Sequence, residues 1–591
     1  MNVKVFQRIS ICVILIFSVF VSPNSVSSAN TYYFAIDSNN DTSDNNLSDE
    51  ICADVQNDCT LRAALEQSKP LTNAGHDVNI NFNKLLGPVT IELNDDLPTY
   101  TQANIINDDP MKRITIDGKN HFGLVISGDK NTTIQGLIFM NFRLAPVFVY
   151  FGGTDVINRN VFIDNENGLI ISNVNDESQG TVHVTHNYIG YDPYTESGNS
   201  NSKGIYIKDV STVNSTNQVW VGGYNAEEGN VIAGNYLSGV YIENENPNTD
   251  IVIFNNYIGM VDDTTPEPNI TNGITVIKNS GILNIGGDYL TQGNLIAGNQ
   301  NFGIYIEESS YAAIQGNTFS SNATGTAYIP NMGGDIKVFD SPYLRIGGET
   351  SSYGNVIPQG ISVESNSRNN TGLIIKHNLL GISKTGYVFP TGAERDGIFA
   401  EKVTGFPEIS FNTITNFRSG IVVQMDSVFP ISKNKIYGNR EMGIDLGDDG
   451  VTLNDNLDAD SGPNGLQNFP VISNVVVQDF GAVKQLAFDV SLHSAPNKQY
   501  YIEVFSSPFC GSNGYGEGKQ GFAYNGSITT DSSGNSNIWH ISDFYPTNII
   551  GACLTATASE FDGAHYLGTS EFSLGVMAWQ PEKIFLPMIV K

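Results

Sequence analysis

From Asn160 onward the chain is written in short apolar alternations broken by asparagine and glycine. One phrase, Asn-x-Ile-x-x-Asn followed within a few residues by Gly-Ile-x-Val, recurs. It reads NVFIDNENGLII from Asn160, NVIAGNYLSGVYI from Asn230, NLIAGNQNFGIYI from Asn294, NTITNFRSGIVV from Asn412 and NKIYGNREMGIDL from Asn434. A second phrase, Asn-x-[Ile/Leu/Phe]-x, starts at Asn187, Asn256, Asn317 and Asn378, and its last two steps are 61 residues each. A third, [Val/Ile]-Gly-Gly, stands at Val221, Ile285 and Ile346. A unit of about sixty residues therefore repeats, and each unit holds two Gly-Ile-x-Val strands. Successive strand glycines (Gly168, Gly204, Gly239, Gly273, Gly303 and on to Gly443) lie 23 to 37 residues apart, the length of one solenoid turn.

Alternate residues of each strand are apolar, so one face points inward, and no helical period runs through the stretch. Asparagine tolerates a left-handed corner and glycine adopts one without steric cost. Asparagines at equivalent corners can also stack as amide ladders. The pattern predicts a β-solenoid over residues 81–472. At ~4.8 Å per coil, roughly a dozen coils make a rod on the order of 55–60 Å long.

Three segments resemble exported right-handed parallel β-helix proteins of the pectin-lyase-like class. CADVQNDCTLRAALEQS (Cys52–Ser68) is similar to the Cys-Ser-Leu-Arg-Glu-Ala-Ile motif that opens many such chains, with Thr60 for Ser and Ala63 for Glu. The repeats are the second segment, and GIDLGDDGVTLNDNLDADSGPNGLQNFPVI (Gly443–Ile472) resembles the group's closing segment. The resemblance implies architecture and no particular activity. Physically, Thr60 reads as the N-cap of a short amphipathic helix, Leu61–Gln67, within an N-terminal cap over 30–80. Such a helix would plug the open end of the solenoid, whose edge is otherwise unpaired.

Beyond Pro470 the texture changes. LAFDVSL and YIEVF alternate, Ser533-Gly534 marks a hairpin, and about seven short strands over 473–575 imply an immunoglobulin-like β-sandwich that spaces or attaches the rod. Gly514–Gly518 adds a resemblance to the sandwich often appended to these proteins. The tail, 576–591, ends in the apolar IFLPMIVK. At the other end, Lys4 and Arg8 precede the apolar run Ile9–Val21, and small residues lead to Ala29. This is a secretory signal peptide over 1–29, too short to span a membrane, so export to the medium or cell surface is expected and no membrane span once it is cleaved. An even set of cysteines then remains, and pairing within each domain joins Cys52 to Cys59 and Cys510 to Cys553. A zinc site is the alternative, although no histidine lies at ligand spacing.

Composition narrows the partners. Lys+Arg number 30 against 61 Asp+Glu, a net charge of −31, which argues against nucleic acid and anionic lipid. Candidate chemistry lies on the outward residues of the Gly-Ile-x-Val strands. One column runs Ile170, Tyr206, Tyr241, Thr275, Tyr305, Lys337, Ser362, Phe399, Val422, Asp445. The next runs Lys208, Glu243, Ile277, Glu307, Phe339, Glu364, Glu401, Gln424. Aromatic faces stack on sugar C–H faces, carboxylates bind hydroxyls, and protonated carboxylic acids protonate a leaving oxygen. Tyr206, Tyr241, Tyr305 and Phe399 are therefore candidates for binding a polysaccharide, and Glu243, Glu307, Glu364 and Glu401 for catalysis of a lyase or glycoside-hydrolase type. Glu243 and Glu307, two coils apart, would sit roughly 9–10 Å from each other, and Glu364 and Glu401 roughly 5 Å. The alternative is that tyrosine and glutamate decorate a solvated sheet. A non-catalytic structural or adhesion protein of the cell surface is the second functional reading. No cofactor is required, but Asp455, Asp458 and Asp460 form an oxygen-rich loop that suits Ca²⁺. Asp37, Asn39 and Asp41 make a weaker case. His186 and His377 both precede a corner asparagine and read as structural.

Overall fold

The computed structural model describes residues 29–579, except 174–179, 199, 210–216, 288–291, 367–369, 391–393, 406, 426, 512 and 546–548. The expected signal peptide, apart from Ala29, and the tail beyond Trp579 lie outside the described residues. Among those described, three parallel sheets of 14, 13 and 12 strands form the walls of a parallel β-helix. The first wall runs from Thr31–Ala35 to Ile431–Ser432, the second from Val89–Glu92 to Lys435–Tyr437, and the third from Leu124–Ile126 to Ile444–Leu446. The inward positions are Ile, Val, Leu and Phe. They form one continuous apolar column from Phe34 to Leu446.

The rod starts earlier than its pattern suggests. Thr31–Ala35 and Asp77–Asn81 already pair as the first rungs of the first wall. The plugging helix lies between them and runs Leu61–Asn73, past the expected end at Gln67. Thr60 caps it, accepting the Ala63 N–H at 3.1 Å. Arg62 locks it in place. Its guanidinium is buried, grips both oxygens of Asp41 at 2.8 Å, and donates to the carbonyls of Asp95 and Asp96. Asp41 is thereby consumed, and Asp37 accepts from the Cys59 N–H and pairs with Lys84, so neither is free for a cation.

Corner asparagines hold the coils together. At the entry to the second wall, Asn160, Asn187, Asn230, Asn256, Asn294, Asn317, Asn355, Asn378, Asn412 and Asn434 form a buried ladder. The Oδ1 of each accepts both the backbone N–H and the Nδ2–H of its predecessor at 2.8–3.2 Å. A second ladder, Asn165 to Asn331, lines the entry to the third wall. The amide stack is as expected, but its conformational rationale is not. The ladder asparagines avoid positive φ, and before six of the ten in the first ladder a non-glycine residue takes it: Arg159, His186, Asn255, His377, Phe411 and Lys433 have φ of 54–60°. That column explains why His186 and His377 precede an asparagine. The strand glycines likewise answer to crowding. A Cβ on Gly204 would lie 2.4 Å from the Gly239 carbonyl oxygen of the next coil.

The C-terminal domain holds a three-stranded and a five-stranded antiparallel sheet around a shared apolar core. Disulfides join Cys52 to Cys59 and Cys510 to Cys553. Apart from the spacing or attaching role the sequence suggests for it, this domain seals the last coil of the rod. Glu517 stands where a further ladder asparagine would. Its Oε1 accepts the Asn439 N–H and Nδ2–H at 3.0 and 2.9 Å. Glu571 accepts the Leu446 and Thr452 N–H groups at 3.0 and 2.9 Å, and Glu503 accepts the Lys433 N–H. One carboxylate thus serves each corner of the last coil. Burial, outweighing the donated hydrogen bonds, pushes Glu571 up to about 8 and Glu503 up to about 7.

Two outcomes are expected. Asn256→Ala strips five hydrogen bonds from mid-ladder and should lower the unfolding free energy by about 3 kcal/mol in a denaturant titration. Carboxyl groups whose pKa rises on folding bind protons more tightly in the folded state. Their contribution is therefore most favourable below the unfolded carboxylate range and declines as pH rises through about 8. Melting curves between pH 5 and pH 9 should fall less for Glu571→Gln than for the parent chain.

Candidate functional site

The third wall carries the candidate residues on its outer face. Backbone register brings Ile170, Tyr206, Tyr241, Thr275, Tyr305, Lys337, Ser362, Phe399, Val422 and Asp445 into one column. Lys208, Glu243, Ile277, Glu307, Phe339 and Glu364 align in the next, as do Glu401 and Gln424. Because side chains alternate across a strand, the inward neighbours fill the core while most of these remain partly exposed; Ile170, Thr275, Val422 and Asp445 are buried.

One flank of this face is built up on alternate coils. After leaving the second wall and before entering the third, the chain makes short antiparallel arches. These pair Tyr191–Asp192 with Ser197–Gly198, Met260 with Pro266, Ser321 with Tyr328, and Ile382 with Val388. Long and short connections therefore alternate, which is why the sequence repeats over two coils and not one. The arches stand about 10 Å apart along the rod.

The polar groups on the face are largely engaged with one another. Tyr206 donates its hydroxyl to Glu243 at 2.8 Å, and Tyr305 to Glu307 at 2.9 Å. Burial, reinforced by the bond to Glu307, pushes the Tyr305 phenol up to about 12, and burial with the bond to Glu243 raises Tyr206. Lys203, absent from the sequence-based candidates, places its ammonium 4.3 Å from the Tyr206 ring centre and 4.7 Å from that of Tyr241. It covers part of the aromatic surface that a sugar would use. Lys337 forms an ion pair with Glu364, which also accepts from Ser362 Oγ at 2.9 Å. Burial pushes Glu364 up, but these contacts outweigh it and hold the group below its ordinary range.

The arrangement orders the candidates differently from the sequence alone. Glu364 is held ionised by Lys337, so it is poorly placed to donate a proton, and Glu401 beside it contacts Lys402 at 3.3 Å. Glu243 and Glu307 accept hydrogen bonds from tyrosine hydroxyls, with Ile277 between them. Four carboxylates presented as acceptors suit hydroxyl binding better than acid catalysis. Tyr305 and Phe399 keep freer rings than Tyr206 and Tyr241. At the far end of the column, Asp445 is almost fully buried and pushed up to about 6 by burial and the nearby Asp448 and Asp449. Arg418 closes that end, gripping Asp396 at 3.0 and 2.7 Å and Asp448 at 2.6 Å. No spacing in the sequence marks Arg418 and Asp396 as partners, since coil stacking alone brings them together.

The loop after the last coil brings Asp455, Asp458 and Asp460 together, with one carboxylate oxygen of each within 4.8 Å of the others. Asp458 accepts from the Asn468 N–H at 2.8 Å and from Ser494 Oγ at 2.6 Å. The Oδ1 of Asp460 is buried without a hydrogen-bond partner. Burial first, then mutual repulsion, raises both groups.

No family model matches the chain. Similar solved structures include the surface adhesin PfbA of Streptococcus pneumoniae, 11% identical with a TM-score of 0.29 over 66% of this chain and 89% of that one. A second is the tailspike protein of Escherichia coli bacteriophage HK620 in complex with a pentasaccharide, 11% identical with a TM-score of 0.26 over 82% and 88%. A third is a tailspike of Acinetobacter baumannii bacteriophage Fri1, a capsular polysaccharide depolymerase, 10% identical with a TM-score of 0.24 over 86% and 83%. Scores this low carry no information about the chemistry of this chain.

Proposed function

We propose that this is a secreted or cell-surface protein that binds an extended polysaccharide along the outer face of the third wall. The observation that carries the reading is the register. Aromatic rings and carboxylates from coils far apart in sequence form two parallel columns, flanked by arches at two-coil intervals. A glycan chain is a linear repeat of hydroxyls and C–H faces, and a linear repeat of acceptors and rings matches it. Binding is favoured over cleavage because Glu364 is paired with a lysine and Glu243 and Glu307 are acceptors of tyrosine hydroxyls. Export is supported by the leader-like N-terminus and by two disulfides. Among the described residues no helix is long and apolar enough to cross a membrane.

Asp455, Asp458 and Asp460 fit a hard divalent cation. The donors are all oxygens, three acidic groups repel one another, and one buried oxygen lacks a partner. Ca²⁺ held there would neutralise that repulsion. Through Asp458 and its bond to Ser494, it would also fasten the closing loop to the C-terminal domain.

The glycan reading is tested by an array and by product assays on a polysaccharide panel, each with and without Ca²⁺. Retention without reducing-sugar or unsaturated products is expected, and Tyr305→Ala should weaken it about tenfold, as for loss of one stacking ring. An array without hits would sink the reading. Efficient turnover abolished by Glu243→Gln or Glu307→Gln would replace it with an enzymatic one. For the cation, millimolar Ca²⁺ should raise the melting temperature of the parent and leave that of an Asp455→Asn/Asp460→Asn variant unmoved.

A further inference from the structure

A second site lies on the other side of the rod, where the second wall meets the C-terminal domain. There a cleft of about 810 Å³ opens between the last coils and the segments around Ser506 and Ile549. Its charge is unlike that of the rest of the molecule. The chain carries two acids for every base, yet three lysines, Lys384, Lys435 and Lys519, line this cleft and no Asp or Glu does. Each comes from a different element. Lys384 is on the arch bridged by Ile382 and Val388, Lys435 opens the last strand of the second wall, and Lys519 belongs to the C-terminal domain.

The convergence is produced by domain docking. The Ile436 N–H donates to the Gly518 carbonyl across the junction at 2.9 Å. That bond sets Lys519 beside the second wall, with its ammonium 4.8 Å from the centre of the Tyr437 ring. Among the described residues none of the three lysines has an ion-pair partner, and no carboxylate lines the cleft to supply one. Partial burial lowers Lys384, and no carboxylate opposes that effect. Three cationic side chains thus line one cleft with no counter-charge on its walls. The remaining lining combines hydroxyls (Thr413, Ser506, Ser507) with the Tyr437 ring and an aliphatic floor.

We propose that this interdomain cleft binds a short carboxylate-bearing oligosaccharide. The ammonium groups take the carboxylates, the hydroxyls take the sugar hydroxyls, and the aliphatic floor takes C–H faces. A nucleic acid or lipid surface is a poorer match, because the protein's net charge of −31 repels an extended polyanion while three lysines hold only a short one. The site is separate from the third wall and stands whether or not that face binds glycan.

The test is titration calorimetry of the full chain with oligogalacturonate, alongside neutral maltohexaose and inorganic phosphate, at low and high ionic strength. Oligogalacturonate is expected to bind and to weaken with salt. Lys435→Gln and Lys519→Gln should each reduce affinity about tenfold, roughly one charged contact. The corresponding arginine variants should restore it, and Tyr305→Ala should leave it unchanged. Matching melting curves would confirm that the variants fold. The proposal is overturned if oligogalacturonate does not bind at low salt, or if the glutamine variants bind like the parent. It is also overturned if phosphate or maltohexaose binds as tightly, or if Tyr305→Ala removes the binding and so places it on the third wall.

Discussion

A chain that coils must turn three corners per circuit, and every corner turns backbone N–H groups away from the strand ladders that would otherwise satisfy them. Left unpaired inside the rod, each would cost about 1–3 kcal/mol. The asparagine ladders resolve this by having each amide accept the N–H of the coil before it. The solution is only locally complete, because every coil depends on the next. The final coil has no successor, and the three glutamates of the C-terminal domain supply the missing acceptors. The second domain is therefore part of the same hydrogen-bonded chain as the rod. The helix held by Arg62 and Asp41 closes the other end.

Closing the ends in this way also shapes the outer surface. Because register is pinned at every corner, outward residues line up to within one coil spacing. Columns of chemistry then emerge from positions some thirty residues apart in the chain. The alternating arches give the third wall a raised flank. The docked domain gives the second wall a cleft that neither part has alone. Both surfaces are consequences of the stacking, and each carries a distinct balance of charge: mixed and internally paired on the third wall, unpaired and positive at the junction.

Much of this was legible in the residues. Repeated asparagines and glycines at a 61-residue step disclosed the solenoid and its two-coil unit. Period-two alternation disclosed which side chains face outward, and Thr60 disclosed the start of the plugging helix. Other features were not legible, for identifiable reasons. Lys203 reaches Tyr241 of the next coil, a contact set by side-chain length and coil stacking. The Lys337–Glu364 pair joins adjacent coils through the same stacking. The glutamates at positions 503, 517 and 571 sit in ordinary-looking strands and turns, and nothing local marks them as acceptors for a coil some seventy to over a hundred residues earlier in the chain.

The sequence by itself determined the periodic backbone: strands where branched apolar residues alternate, corners where asparagine recurs, and glycine where the next coil comes too close for a Cβ. Those are short-range properties, decided within a few residues and repeated. The tertiary structure alone decided which charges meet, which rings stay uncovered and what seals the final coil. Pairing energies depend on distances across the stack and across the domain junction, and those distances exist only once the coils have been laid on one another.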